Sequence, residues 1–221
     1  EEQEKMIDVI KDIGGLVSMR ALPGGGEAPY EINTTFYEAT GRTFDGPDGY
    51  HFDRFICSQT IVMSLEGIPA FYIHSMLATR NDHEQVVRRG MNRAINRHNW
   101  DYPTLNAVLD DPDTTHAQVL AALSYRLKIR SEQSAFHPNA TQFTMSLRDD
   151  VFGVWRQSLD RHQSIFALHN VRAETVDLAT DAMNLIDDED WVDLLTGEVI
   201  DTSEGTITLA PYQCRWITNR T

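Results

Sequence analysis

The stretch RRGMNRAINRHNW, residues 88–100, holds four arginines, a histidine and a tryptophan in a chain of formal charge −14. A guanidinium is a planar, permanently charged fork that grips carboxylates, phosphates and vicinal hydroxyls. Such a concentration in an acidic protein suits recognition of those groups, with solvated surface arginines as the alternative reading. Histidines are the second chemical resource. His51, His74, His83 and His98 fall in the first hundred residues, but their spacing matches no zinc pattern, and no metal is expected. His74 reads either as a cleft residue or as a hydrogen-bonded core histidine, and His162 and His169 as structural. Trp155, Trp191 and Trp216 could stack on sugars or pack a core.

Composition bounds the setting for these residues. The chain has 221 residues, enough for one large domain or two smaller ones, and its 41% hydrophobic content is ordinary for a globular protein. The acidic balance argues against binding a nucleic-acid backbone. No apolar run is long enough to span a bilayer, and no signal peptide is visible. Cys57 and Cys214 lie far apart in apolar surroundings and read as small buried hydrophobes, which suits a cytoplasmic protein. The chain opens on Glu1-Glu2-Gln3 without Met, so either something was removed from it or it is a piece of a longer one.

The elements that must position these side chains fall into two textures. Residues 1–13 are an acidic-headed helix stopped by Gly14-Gly15. LVSM follows, then the flexible loop LPGGGEAP, then YEINTTFYEA. A strong helix begins near Asp53 and is stopped by Gly67 and Pro69, and AFYIHSM (70–76) suits a buried strand. Residues 77–104 are polar with little periodicity, and a segment that long is expected to be functional. An amphipathic helix covers about 115–131, with Asp113 and Thr114 as its cap. From about residue 134, short strand-like runs such as VFGVWRQ and QSIFALHNV alternate with turns and predict an antiparallel sandwich.

RFICSQTIVMSLEGIPAFYIHSMLATRND, PYEINTTFYEA, INRHNW and the closing DLLTGEV and LAPYQCRWI resemble the end of a sucrose-phosphorylase-type enzyme. That group, with its sucrose and glucosylglycerate phosphorylases, belongs to the α-amylase superfamily (glycoside hydrolase family 13). The resemblance implies an α/β part plus an all-β part: residues 1–133 as the C-terminal part of a (β/α)8 TIM barrel, and 134–221 as a C-terminal β-sandwich domain. In it, 70–76 is the eighth barrel strand and 115–131 the eighth barrel helix. Length agrees, because a whole barrel needs roughly 250 residues. The family's nucleophile Asp, acid/base Glu and third Asp follow earlier strands, the third in a His-Asp pair. No His-Asp pair occurs here, so the resemblance puts no catalytic carboxylate in this chain.

By the same resemblance, Arg93 matches the arginine that holds hydroxyls of the bound glucosyl unit, with a surface or salt-bridging arginine as the alternative. Arg97 and His98 become supports, and Asn81 and Asp82 order the loop mouth. EAPYEIN (27–33) matches a loop that moves between phosphate- and fructose-binding arrangements, freed by the glycines at 24–26. Tyr30 matches its tyrosine, or is a packed aromatic. Two positions depart from the pattern: Glu31 replaces a glutamine near the acceptor, and Ala28 replaces a fructose-contacting aspartate. Both turn the expectation from sucrose toward glucosylglycerate or phosphorylated sucrose.

The expected activity is a retaining α-glucoside phosphorylase giving α-glucose 1-phosphate, with inorganic phosphate as co-substrate, no cofactor, and an isolated chain that is inactive. A hydrolase or transglucosidase of the superfamily is one alternative. A non-catalytic carbohydrate-binding or oligomerisation module is another. The partners expected are a small sugar and phosphate, with neither nucleic acid nor membrane, and self-association through exposed barrel edges.

Overall fold

The structure is a computed structural model and describes residues 2–183 and 191–219. The chain divides into two compact units. One comprises Glu1–Phe52 and Phe71–Ala121, the other Asp53–Ala70 and Ala122–Thr221. Among the described residues, no helix is long and apolar enough to cross a membrane.

The first unit opens with α1 (Glu2–Asp12), whose first turn is acidic and whose last turn carries Lys11, in the sense the helix dipole favours. A hairpin follows, made of β1 (Leu16–Ala21) and β2 (Glu27–Asn33). The sequence led us to expect a mobile loop over 27–33, but the segment is a paired strand. Alternating side chains here pair along β1, and the glycines serve the turn instead: Gly24, Gly25 and Gly26 hold φ of 100°, 100° and 86°. Ser18 pairs with Glu31 and Met19 with Pro29, which leaves Tyr30 as the extra residue of a β-bulge. A bulge bends the strand and re-aims a side chain.

After the hairpin come α2 (Phe36–Ala39) and the first residues of α3 (His51–Ser64). Residues 70–76 form no strand. They end in a single helical turn, α4 (Ile73–Met76), whose Ser75 and Met76 amides donate to the Tyr72 carbonyl at 2.9 and 3.2 Å. A barrel strand is held by the parallel strands beside it, and among the described residues no strand pairs with this segment. The polar stretch 77–104 is also more ordered than its composition suggests. It contains α5 (His83–Arg89), a 3-10 turn at Asn92–Asn96 and the start of α6 (Tyr102–Asp110). The long helix arrives as expected, as α7 (Thr115–Ser131), capped by Thr114 Oγ1 accepting from the Ala117 amide at 3.2 Å.

In the second unit, residues 53–64 of α3 and 122–131 of α7 accompany eight strands among the described residues. β3 (Thr141–Arg148), β4 (Val151–Gln157), β5 (Ser164–Asn170), β6 (Val176–Ala179), β7 (Trp191–Asp193), β8 (Val199–Ile200), β9 (Thr206–Leu209) and β10 (Cys214–Thr218) are all antiparallel. The main sheet runs β3-β4-β5-β10-β7-β8, and β6 pairs with β9 separately. Their apolar faces meet: Val151, Phe166 and Leu168 of the main sheet form one cluster with Val176, Leu178, Ile207 and Leu209 of the small one. Two sheets sharing one core is the layered arrangement the alternating strands predict.

Tryptophan chemistry here is packing. Trp191 and Trp216 are buried, and Trp155 stacks between Phe143 and Phe166 at 4.7 and 5.8 Å. The core also carries buried polar groups that find partners inside it, although among the described residues Arg156 Nε has none. Ser64 Oγ receives the Trp216 indole N–H at 2.9 Å, donates to the Thr60 carbonyl and lies 2.9 Å from His169 Nε2. Arg156, wholly buried, donates to the carbonyls of Ser64 and His137. Cys57 and Cys214 are buried free thiols, and burial pushes the Cys214 thiol well up.

Candidate functional site

The first unit gathers three of the four expected site residues. The 3-10 turn Asn92–Asn96 is fixed to the hairpin through Ser18, whose Oγ accepts from Asn92 Nδ2 at 3.2 Å and from Asn33 Nδ2 at 3.0 Å. Because Ser18 pairs with Glu31, this anchorage brings the next residue of the turn, Arg93, to Glu31. Arg93 Nε donates to both Glu31 carboxylate oxygens at 2.9 Å. The Glu31 hydrogen bond and charge push the Arg93 pKa up, with a further contribution from Tyr30. The pair is open: 52% of the Arg93 side chain and 32% of the Glu31 side chain are exposed. Tyr30, aimed outward by the bulge, is 60% exposed, and the Arg20 guanidinium lies 6.0 Å from its ring centre. Arg20 is a member of this group that the sequence did not single out. Register across a hairpin made it visible, not spacing along the chain.

Asp82, the fourth expected residue, makes its bonds elsewhere. It is the N-cap of α5, accepting from the Gln85 amide at 2.7 Å through Oδ1, while Oδ2 lies 2.6 Å from His98 Nδ1. Burial, the largest influence on its pKa, pushes it up. The Gln85 and His98 hydrogen bonds and the charges of His98 and Arg88 together outweigh that and hold the carboxyl below its ordinary value. His98 in turn meets Trp100 edge-on at 4.7 Å, and Trp100 Nε1 donates to Thr79 Oγ1 at 3.0 Å. These residues line a cleft of about 450 Å³ that also presents Arg80 and Glu84. Asn81 ties its segment to residues 34–35: its Oδ1 accepts from the Thr35 amide at 2.8 Å and the Thr34 hydroxyl at 3.1 Å.

His74 lies 3.1 Å from Thr79 Oγ1, and its pKa is lowered by burial first and by the charge of His98 second. Among the described residues, no three His, Cys, Asp or Glu side chains are grouped so as to take a metal ion. The arrangement suits an uncharged polyol or an oxyanion: two guanidiniums, a phenol and a carboxylate share one open face.

No family model matches the chain. Individual proteins do. The chain is 31% identical over 229 residues to the glucosylglycerate phosphorylase of Spirochaeta thermophila, covering 97% of this chain and 38% of that protein. It is 30% identical to the glucosylglycerate phosphorylase of Escherichia coli, over 96% of this chain and 36% of that one. This chain is a relative of the glucosylglycerate phosphorylases. It spans little more than a third of the length of those relatives.

The fold agrees. The structure of sucrose 6F-phosphate phosphorylase from Thermoanaerobacter thermosaccharolyticum superposes with a TM-score of 0.61 at 20% identity, covering 89% of this chain and 35% of that one. The chain therefore shares the fold of part of that enzyme, including antiparallel sheets.

Proposed function

We propose that this chain is the C-terminal part of a cytoplasmic retaining α-glucoside phosphorylase whose donor is glucosylglycerate. In this reading residues 1–133 end the barrel and 134–221 form the domain after it. The parent enzyme transfers a glucosyl unit to inorganic phosphate and releases α-glucose 1-phosphate. Retention requires two displacements at one carbon, with two carboxyl groups facing the bond. Those carboxyls come from chain outside these 221 residues, so this chain alone is inactive.

Its own contribution is binding. Arg93 holds two adjacent hydroxyls of the glucosyl ring, which fixes the sugar for attack. Glu31 orients Arg93 through both carboxylate oxygens and, with Tyr30, faces the group that leaves or arrives. Asp82 sets the start of α5 and so the segment that delivers Arg93. The observation that carries the reading is the identity to glucosylglycerate phosphorylases over nearly the whole chain, which includes the block that presents Arg93.

The test is phosphorolysis by the full-length enzyme. Glucosylglycerate and phosphate together should give glucose 1-phosphate, with the sugar consumed at a rate set by phosphate. Sugar release that ignores phosphate would make the parent a hydrolase. The purified 221-residue chain should release none.

A further inference from the structure

The hairpin carries a charge imbalance that the sugar-holding role of Arg93 does not use. In β1, Ser18 and Arg20 are two residues apart and share a face. Across from them in β2 stand Glu31 and Ala28. Arg93 joins the same face from the 3-10 turn through its bond to Glu31. Two guanidiniums thus stand there with one carboxylate, and that carboxylate is committed to Arg93. Among the described residues, no carboxylate pairs with Arg20. Its recorded partner is the Tyr30 ring, 6.0 Å away.

Register explains the surplus. Arg20 is directly opposed to Ala28. Opposed side chains of an antiparallel pair have Cβ atoms about 5 Å apart, so an acidic residue at 28 would neutralise Arg20. Alanine cannot. It leaves the charge to a ligand, with the Tyr30 ring 6.0 Å from the guanidinium. A guanidinium presents a planar fork that matches a carboxylate or phosphate.

We propose that Arg20, released by Ala28 and flanked by Tyr30, binds the oxyanion of the acid or phosphate that exchanges with the glucosyl unit. This rests on the phosphorylase reading for where the acceptor sits, but its chemistry can be read without catalysis.

The experiment is titration calorimetry on the full-length enzyme with glycerate, inorganic phosphate and glycerol as probes. Arg20→Gln should weaken glycerate binding by roughly tenfold or more, the cost of a lost charge-assisted contact, and leave glycerol within about twofold. Ala28→Asp should do the same by engaging the cation, and Arg20→Lys should keep part of the affinity. Weakening of glycerate alone assigns the site to a carboxylate, and weakening of both anions assigns a shared oxyanion site. If the wild type shows no phosphate-dependent activity yet Arg20→Gln still loses glycerate, the phosphorylase reading falls and the anion site stands. Anion affinities unchanged within about twofold in both Arg20→Gln and Ala28→Asp overturn the proposal, as does a wild type that binds neither anion.

Discussion

On the hairpin, Arg93 meets Glu31 with half its side chain in water. In the strand unit, Arg156 is wholly buried and its two Nη groups donate to backbone carbonyls. Both are arginines with good hydrogen bonds, yet they do different work. The first pair lies in high dielectric, where an ion pair adds little stability and stays available to a ligand. The second has no water to fall back on, so every bond it makes is structural. The same contrast separates Asp82 and His98, a partly exposed pair, from His169, which is fully enclosed. Polar groups at the hairpin and the 3-10 turn should therefore govern activity and barely touch stability, while polar groups in the sheet core should do the reverse.

The sharpest blow to the core side is Trp216→Ala. It removes a fully buried ring packed 4.8 Å from Phe136 and strips Ser64 Oγ of a donor. The expected loss is about 4 kcal/mol of unfolding free energy in a denaturant titration. Trp216→Phe keeps the ring and should cost about 1 kcal/mol, the share of the indole hydrogen bond. An equal loss in both variants would mean the polar link, not packing, holds this end of the core.

His169 gives the core a pH signature. Complete burial pushes its pKa down to about 4 from an ordinary 6.5, against the opposing pull of the Phe152 and Thr60 backbone bonds. The folded state thus holds the ring neutral while the unfolded chain protonates it. Between those two values the unfolded state binds more protons, so stability is whole above pH 6.5 and drains away as pH falls toward 4. The shift corresponds to about 3 kcal/mol. His169→Gln should be less stable at neutral pH and should lack this acid limb. An identical slope in both proteins would show that His169 is not the group responsible.

Arg93 tests the other half of the contrast. Arg93→Ala in the full-length enzyme should lower kcat/KM for phosphorolysis by about a hundredfold, the cost of lost charge-assisted bonds to the sugar. Arg93→Lys should recover only part, since an ammonium keeps the charge and loses the fork. The unfolding midpoint should stay where it is in both. A large stability loss with modest kinetic change would reverse the roles assigned to the two regions.

The strands were the most legible part of the molecule, because period-two alternation is local: VFGVWRQ and QSIFALHNV became β4 and β5. Helix 115–131 was legible from its cap and its apolar face. The errors came where the deciding information lies elsewhere in the fold. A run like AFYIHSM is a strand only with barrel neighbours beside it. The glycines at 24–26 signal a turn, and it took the pairing of β1 with β2 to show that the residues after them are not loop. Some of what was missed had a signal. Asp82 and Gln85 stand at capping-box spacing, Gly90 closes α5 in a left-handed conformation, and Asp101 with Pro103 starts α6. Arg93, Tyr30 and Glu31 could be named from the chain, but their grouping with Arg20 depends on register.

Asp82 is the subtlest probe because it does both jobs at once. As the N-cap of α5 it accepts the Gln85 amide, and as the partner of His98 it steadies the residues after Arg93. Asp82→Ala removes both and should cost about 1 kcal/mol, the ordinary value of a cap. Asp82→Asn still accepts the amide hydrogen bond, so most of that stability should return. What asparagine cannot restore is charge. The carboxyl titrates below its ordinary value of 3.8 in the folded protein, so its contribution is present above that value and is lost as pH falls through the lower folded one. Unfolding measured from pH 6 to pH 2 should therefore show a carboxylate limb in the wild type that Asp82→Asn lacks, beginning where the His169 limb ends. If alanine and asparagine cost the same, the bond to His98 rather than the cap carries the stability of this segment. The exposed region would then depend on its ion pair for structure as well as for binding.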